Sequence, residues 1–199
     1  MSKQIYLLII ISILISCQQR FTPKPIGYLR FDFDNKSLKK FNIKNQKKIQ
    51  ENNISFSFLT SDYFDMSLQQ KKADTWINLE YSKHNATIHL THTLIKKNLS
   101  QLIEDTRSMA YKHTIKADAI TEKNYSNNNT LAFGTLYDIE GRTASSVQFY
   151  LTDSTKHFLR GSLYFYCPPN QDSLRPVINF IREDIITIME TIQWNNDSI

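Results

Sequence analysis

Residues 148–166 read Gln-Phe-Tyr-Leu-Thr-Asp-Ser-Thr-Lys-His-Phe-Leu-Arg-Gly-Ser-Leu-Tyr-Phe-Tyr. Alternating side chains flank Asp153-Ser154-Thr155, where Asp153 and Ser154 can bond nearby backbone and set a turn. Two strands joined by so short a turn pair antiparallel. On the second strand, 156–167, Leu159, Gly161, Leu163 and Phe165 share one face. Phe158, Arg160, Ser162, Tyr164 and Tyr166 share the other, and Gln148 and Tyr150 of the strand before lie on its polar side.

The pattern extends outward from this hairpin. Glu140-Gly141-Arg142 turns the strand at 143–152 back to one at 131–139, and Pro168-Pro169-Asn170 ends the last strand. Upstream, period-two runs occur around Leu29, Phe31 and Phe33, then Ile54, Phe56 and Phe58, then Ile77, Leu79 and Tyr81, then Ala86, Ile88 and Leu90. Between the two groups the period becomes helical. Leu99, Leu102, Ile103, Thr106, Ala110 and His113 predict a helix over 98–114 with Asn98 as its cap, followed by an asparagine-rich loop at 124–129. A second helix is predicted from Ser173. It carries Leu174, Val177, Ile178, Ile181, Ile185, Ile188, Met189 and Ile192 on one stripe, with Pro176 in its first turn. The fold class is α+β, an antiparallel β-sheet of about seven strands with two main helices packed on it. This order of elements is similar to the Mog1/PsbP-type α/β/α sandwich. One domain is expected over 27–194, with a tail at 195–199.

The amino terminus carries different information. Met1-Ser2-Lys3-Gln4 is short and basic, Ile5–Ile15 is nearly all apolar, and Leu14-Ile15-Ser16-Cys17 follows. These are the parts of a secretory signal over 1–16, too short for the roughly 20 residues of a comfortable membrane span. The Leu-Ile-Ser-Cys ending resembles a bacterial lipobox, in which cleavage leaves an acylated Cys17 as the first residue. More than one acyl chain makes a stable membrane anchor. The other readings are an ordinary cleaved signal with a chance cysteine, or an uncleaved anchor helix. Residues 17–26 form the tether, stiffened by Thr22-Pro23-Lys24-Pro25.

Composition removes several classes of function. With Cys17 given to lipid, Cys167 has no intrachain partner among 2 cysteines, so a disulfide framework is excluded and Cys167 is expected as a small buried hydrophobe. The net charge of +5 is dispersed except for Lys36, Lys39, Lys40, Lys44, Lys47 and Lys48, expected as a solvated face. No aromatic platform interleaves with these lysines, so no nucleic acid is expected as a partner. Among the histidines, His89 and His92 would face opposite sides of one strand, and His84 and His92 would sit at its opposite ends. No metal site, cofactor or phosphate loop is expected. Asp153, Ser154 and His157 lie in one tight turn, unlike a triad assembled from separate elements, so no catalytic residue is assigned. The face bearing Tyr150, Phe158, Arg160, Tyr164 and Tyr166 is the candidate partner surface, because Tyr and Arg anchor interfaces. The alternative is that the second helix covers it.

The residues also resemble GldD, a lipoprotein family of gliding motility in Bacteroidota. The resemblance rests on Pro23-Lys24-Pro25 with Gly27-Tyr28-Leu29-Arg30, on Trp76-Ile77-Asn78-Leu79-Glu80-Tyr81 and on Ala86-Thr87-Ile88-His89-Leu90-Thr91. It continues in Tyr111-Lys112-His113, Lys116-Ala117-Asp118, the whole block 148–166, and Pro169-Asn170 with Asp172-Ser173-Leu174 and Pro176. The region from Asp34 to Asp74 departs from the family pattern. The resemblance implies a lipoprotein, acylated at Cys17 with palmitate among its chains, in the outer membrane and facing the periplasm. It further implies a non-enzymatic accessory required for gliding and type IX protein secretion, partnered with other envelope proteins of that machinery. Gln18-Gln19-Arg20 supplies no acidic run after the cysteine, which favours the periplasmic leaflet. The alternative is a periplasmic ligand-binding module using a pocket between sheet and helix, with a hydrolase as a third reading. Exposure of Phe158, Arg160, Tyr164 and Tyr166 favours the first; a cavity lined by them favours the second.

Overall fold

Strand pairing puts the carboxyl-terminal arm of that hairpin at the centre of the molecule. A computed structural model describes residues 33, 35–43, 56–71, 74–168 and 170–194. The signal at 1–16, Cys17, the tether at 17–26, the tail at 195–199 and Lys44, Lys47 and Lys48 lie outside the described residues, as does the run 28–34 except Phe33. In chain order the elements are β1 (Leu38–Asn42), β2 (Phe56–Ser61), β3 (Asp65–Lys71), β4 (Asp74–Tyr81), β5 (Ala86–Leu94), α1 (Leu99–Tyr111) and β6 (Ala117–Asn127). They continue with β7 (Ala132–Gly141), β8 (Ser145–Thr152), β9 (His157–Phe165), α2 (Gln171–Thr191) and β10 (Gln193–Trp194). A seven-stranded sheet has the order β3-β4-β5-β9-β8-β7-β6, and a second sheet has the order β1-β2-β10. Every pairing in both is antiparallel. The α+β class and the seven-stranded sheet are as expected.

The membership of the sheet differs from the sequence reading. The run at Phe56 and Phe58 forms the middle strand of the smaller sheet, so Phe56, Ser57 and Phe58 are all buried and alternation fails there. The large sheet takes β3 and β6 as its edges instead. The asparagine-rich segment expected as a loop lies largely within β6, most of whose residues are exposed. An edge strand with little to bury carries no apolar alternation.

Each face of the large sheet has its own cover. Ile77, Leu79, Ile88, Leu90, Leu159, Leu163, Val147, Phe149 and Leu151 pack against α2 and the small sheet. The stripe expected on the second helix is buried there except for half-buried Leu174, and is joined by Phe180 and Asp184. Gly161 is required in this layer, because a Cβ at that position would lie 2.1 Å from the Phe149 ring. On the opposite face, Tyr137, Ile139, Tyr150 and Phe158 pack under α1, against Leu99, Leu102, Ile103 and Ala110. The first helix, not the second, covers part of the candidate partner face.

The helix ends differ in detail from their sequence signals. Asn98 precedes α1, but its side chain turns back to accept from the Lys96 amide at 2.8 Å and caps nothing. Asn170, not Ser173, caps α2, accepting from the Ser173 amide. Because α2 starts at Gln171, Pro176 sits beyond the first turn and removes one hydrogen bond from a helix that continues through it.

A buried carboxylate joins these layers. Asp184 of α2 is 1% exposed and accepts from Ser61 of β2 at 2.8 Å and from Tyr81 of β4 at 2.7 Å. Lys36 supplies the countercharge at 2.9 Å and lies over the Phe180 ring. Lys36 therefore leaves the cluster expected to be solvated, whereas Lys39 and Lys40 on β1 remain exposed. Burial, followed by the Asp184 charge and hydrogen bond, pushes the Tyr81 phenol well above its ordinary pKa and keeps it a donor. Asp184→Ala should destabilise the domain by about 3 kcal/mol, since it removes the buried countercharge of Lys36, which keeps only the Phe180 carbonyl and the exposed Glu183, and leaves two hydroxyls without their acceptor. Lys39→Ala, which breaks only the exposed pair with Asp62, should leave the urea midpoint unchanged. Equal effects of the two substitutions would remove the special role of Asp184.

Candidate functional site

α1 covers only part of its sheet face, and a groove opens along its edge. Strand register places Asp74, Thr93 and Phe158 in one row across β4, β5 and β9, and Trp76, Thr91 and Arg160 in the next. Helical spacing puts Leu102, Asp105, Thr106 and Met109 on the α1 side facing these rows. Together they enclose about 270 Å³. Trp76 is 40% and Met109 39% exposed, so the groove has an apolar rim that solvent reaches.

Arg160 stands half-buried in this groove and donates to the Met109 thioether, a weak acceptor. Burial lowers its guanidinium pKa, while Tyr164, Asp105 and Asp74 act in the opposite sense. Asp74 accepts from the Thr93 hydroxyl at 2.8 Å, and Asp105 from the Gln101 amide at 2.7 Å. Neither carboxylate forms an ion pair with Arg160. Two other hollows are larger but chemically different. One of about 350 Å³ lies beside Asp138, whose carboxylate is already taken by Arg182 at 2.6 and 2.8 Å and Lys123 at 3.0 Å. Burial alone would raise the Asp138 pKa; these cations overrule it and hold it low. The other, of about 480 Å³, carries the acidic side chains Asp62, Asp65 and Glu80.

The candidate partner residues separate into three positions. Tyr150 and Phe158 stack on each other beneath α1 and are buried, so they contribute core rather than surface. Phe158 and Arg160 line the groove. Tyr164 is half-buried with its ring edge-on to His89, and Tyr166 is 67% exposed just past the end of β9. Trp76, Asp74, Asp105 and Met109 were not singled out from the sequence. Only Trp76 carried a signal, a large aromatic on the polar side of an alternating strand.

The remaining candidates resolve into structural roles. Asp153 Oδ1 accepts the amides of Thr155, Lys156 and His157 at 3.0, 2.8 and 2.8 Å, which makes it the cap of its turn. Ser154 sits exposed at φ 66°, whereas His157 is fully buried. Cys167 is half-buried and unpaired. Among the described residues no three His, Cys, Asp or Glu side chains group to hold a metal, and no helix is long and apolar enough to cross a membrane.

A histidine pair that spacing did not reveal lies between the sheets. His92 Nε2 and His157 Nδ1 are 3.0 Å apart, with Phe56 stacked on His92 and Trp194 on His157. The two residues are 65 apart in the chain and meet only because β5 pairs with β9. Burial, then the neighbouring His157, holds the His92 pKa down at about 3, and burial lowers that of His157 despite Asp153. The unfolded chain therefore binds protons below about pH 6.5 that the folded chain refuses. Stability should be level above that pH and decline as pH falls toward about 5, where carboxylates are still largely ionised, by up to about 1.4 kcal/mol per pH unit per histidine. Urea midpoints measured across this range should show the decline, and His157→Gln should lessen it. A midpoint independent of pH would contradict the assignment.

Comparison with known proteins adds one finding. The family model for the gliding motility lipoprotein GldD matches residues 18–194, nearly all of the chain after Cys17, and the chain belongs to that family. No curated protein and no solved structure matches it.

Proposed function

We propose that this gliding motility lipoprotein is a non-enzymatic accessory, anchored by lipid on Cys17 in the outer membrane and facing the periplasm. It supports gliding and type IX protein secretion by assembling or stabilising other envelope proteins of that machinery. The observation that carries this reading is the family match over 18–194, which begins one residue after the lipobox cysteine. The open half of the α1 face, with Trp76, Tyr164 and Tyr166, supplies residue types that anchor protein partners. No cofactor enters the reading beyond the covalent lipid. A periplasmic ligand-binding module is the second reading, favoured by the place of Phe158 and Arg160 in the groove lining.

The test is a deletion strain complemented with wild type or with Cys17→Ala, scored for colony spreading and for secreted type IX cargo. Deletion should abolish both, wild type should restore both, and Cys17→Ala should restore neither. Spreading and secretion that survive deletion would overturn the reading.

A further inference from the structure

The groove holds three charges that do not neutralise one another. Arg160 is bonded to a thioether, while Asp74 and Asp105 are bonded to neutral groups. A half-buried guanidinium so placed keeps donors in reserve, and charge-assisted partners satisfy them best. An anion alone would bring its charge near Asp74 and Asp105. A cation alone would meet Arg160. A ligand with both charges on one carbon satisfies the set, its carboxylate accepting from Arg160 and its ammonium donating to Asp105, with the Asp74 charge nearby. Such a ligand requires the protein's opposite charges to stand near each other without touching, as they do here. The walls suit the rest of an amino acid: Leu102, Met109 and Trp76 present apolar surface, with the buried Phe158 ring behind them. The volume of about 270 Å³ admits one group of that size.

We infer that this groove binds the ammonium–carboxylate end of an α-amino acid. The end belongs either to a free amino acid or to the unlinked terminus of a diamino acid within a peptide. The inference rests on the ligand-binding reading of this groove and not on the lipid anchor, so the anchoring role and the ligand can each fail without the other.

Titration calorimetry on the full chain in detergent tests it. The probes are L-leucine and the tripeptide L-Ala-γ-D-Glu-meso-diaminopimelate, with Nα-acetyl-leucine and leucinamide as blocked controls. At least one of the two probes should bind, and the blocked forms should bind about tenfold or more weakly than leucine where leucine binds. Tighter binding of leucine assigns the site to free amino acids; tighter binding of the tripeptide assigns it to diamino-acid peptides. Either outcome upholds the shared chemistry. Arg160→Gln should weaken the tighter probe about tenfold or more. Asp105→Asn should weaken it too, and because Asp105 is an exposed residue at the groove rim the test stays valid should Arg160→Gln fail to fold. The inference is overturned by no binding of either probe at millimolar concentration, by equal binding of leucine and its blocked forms, or by undiminished binding to Asp105→Asn.

Discussion

A carboxylate that is 1% exposed inside an apolar core is tolerable only with a countercharge and donors around it, and Asp184 meets that condition with groups from three parts of the chain. Ser61 belongs to the small sheet, Tyr81 to the large sheet, and Lys36 to the segment before β1. The helix, both sheets and the amino-terminal side of the domain are therefore fixed relative to one another by a single group. Phe180, one turn earlier on α2, extends the junction by stacking on Phe33 at 4.2 Å and lying beneath the Lys36 ammonium.

The two sheet faces are unequally covered, and the groove follows from that inequality. On one face the 21-residue α2 and the small sheet together bury a continuous apolar layer. On the other, α1 has 13 residues and spans about 20 Å, whereas seven strands extend about 29 Å across. The strands β3, β4 and β5 are left partly open. Side chains there mix apolar and polar character: Trp76 beside Asn78, His89 bonded to Asn78 at 2.8 Å, and Tyr164 edge-on to His89. Arg160 lies where the cover ends, which explains its half-burial and its place in the groove wall.

Much of this was readable where side chains repeat with the period of their element. The hairpin at 148–166, the alternation of β4 and β5, and the apolar stripe of α2 each imposed their own local structure. Edge strands were harder, because β6 buries too little to alternate. The place of β2 in the smaller sheet was not legible, because Phe56-Ser57-Phe58 alternates as a strand with one solvated face does, although Ser57 is buried as well. Lys36 was unreadable for another reason: a lysine beside other lysines looks solvated until tertiary structure brings a buried aspartate to it. The histidine pair and the groove depend on register between strands distant in sequence, which no local spacing records. Tyr150 and Phe158 were correctly placed on one face, but which helix would cover it was decided by packing.

The central claim is that an anchored domain works through the open half of its α1 face. The direct measurement is photocrosslinking in living cells from a reactive side chain placed at Tyr166, exposed just past the end of β9, the strand of Tyr164, or at Glu190 on the solvent side of α2. The account predicts a discrete crosslink to an envelope protein from position 166 and none from position 190. Crosslinks from position 190 alone would contradict it and move the working surface to the opposite face.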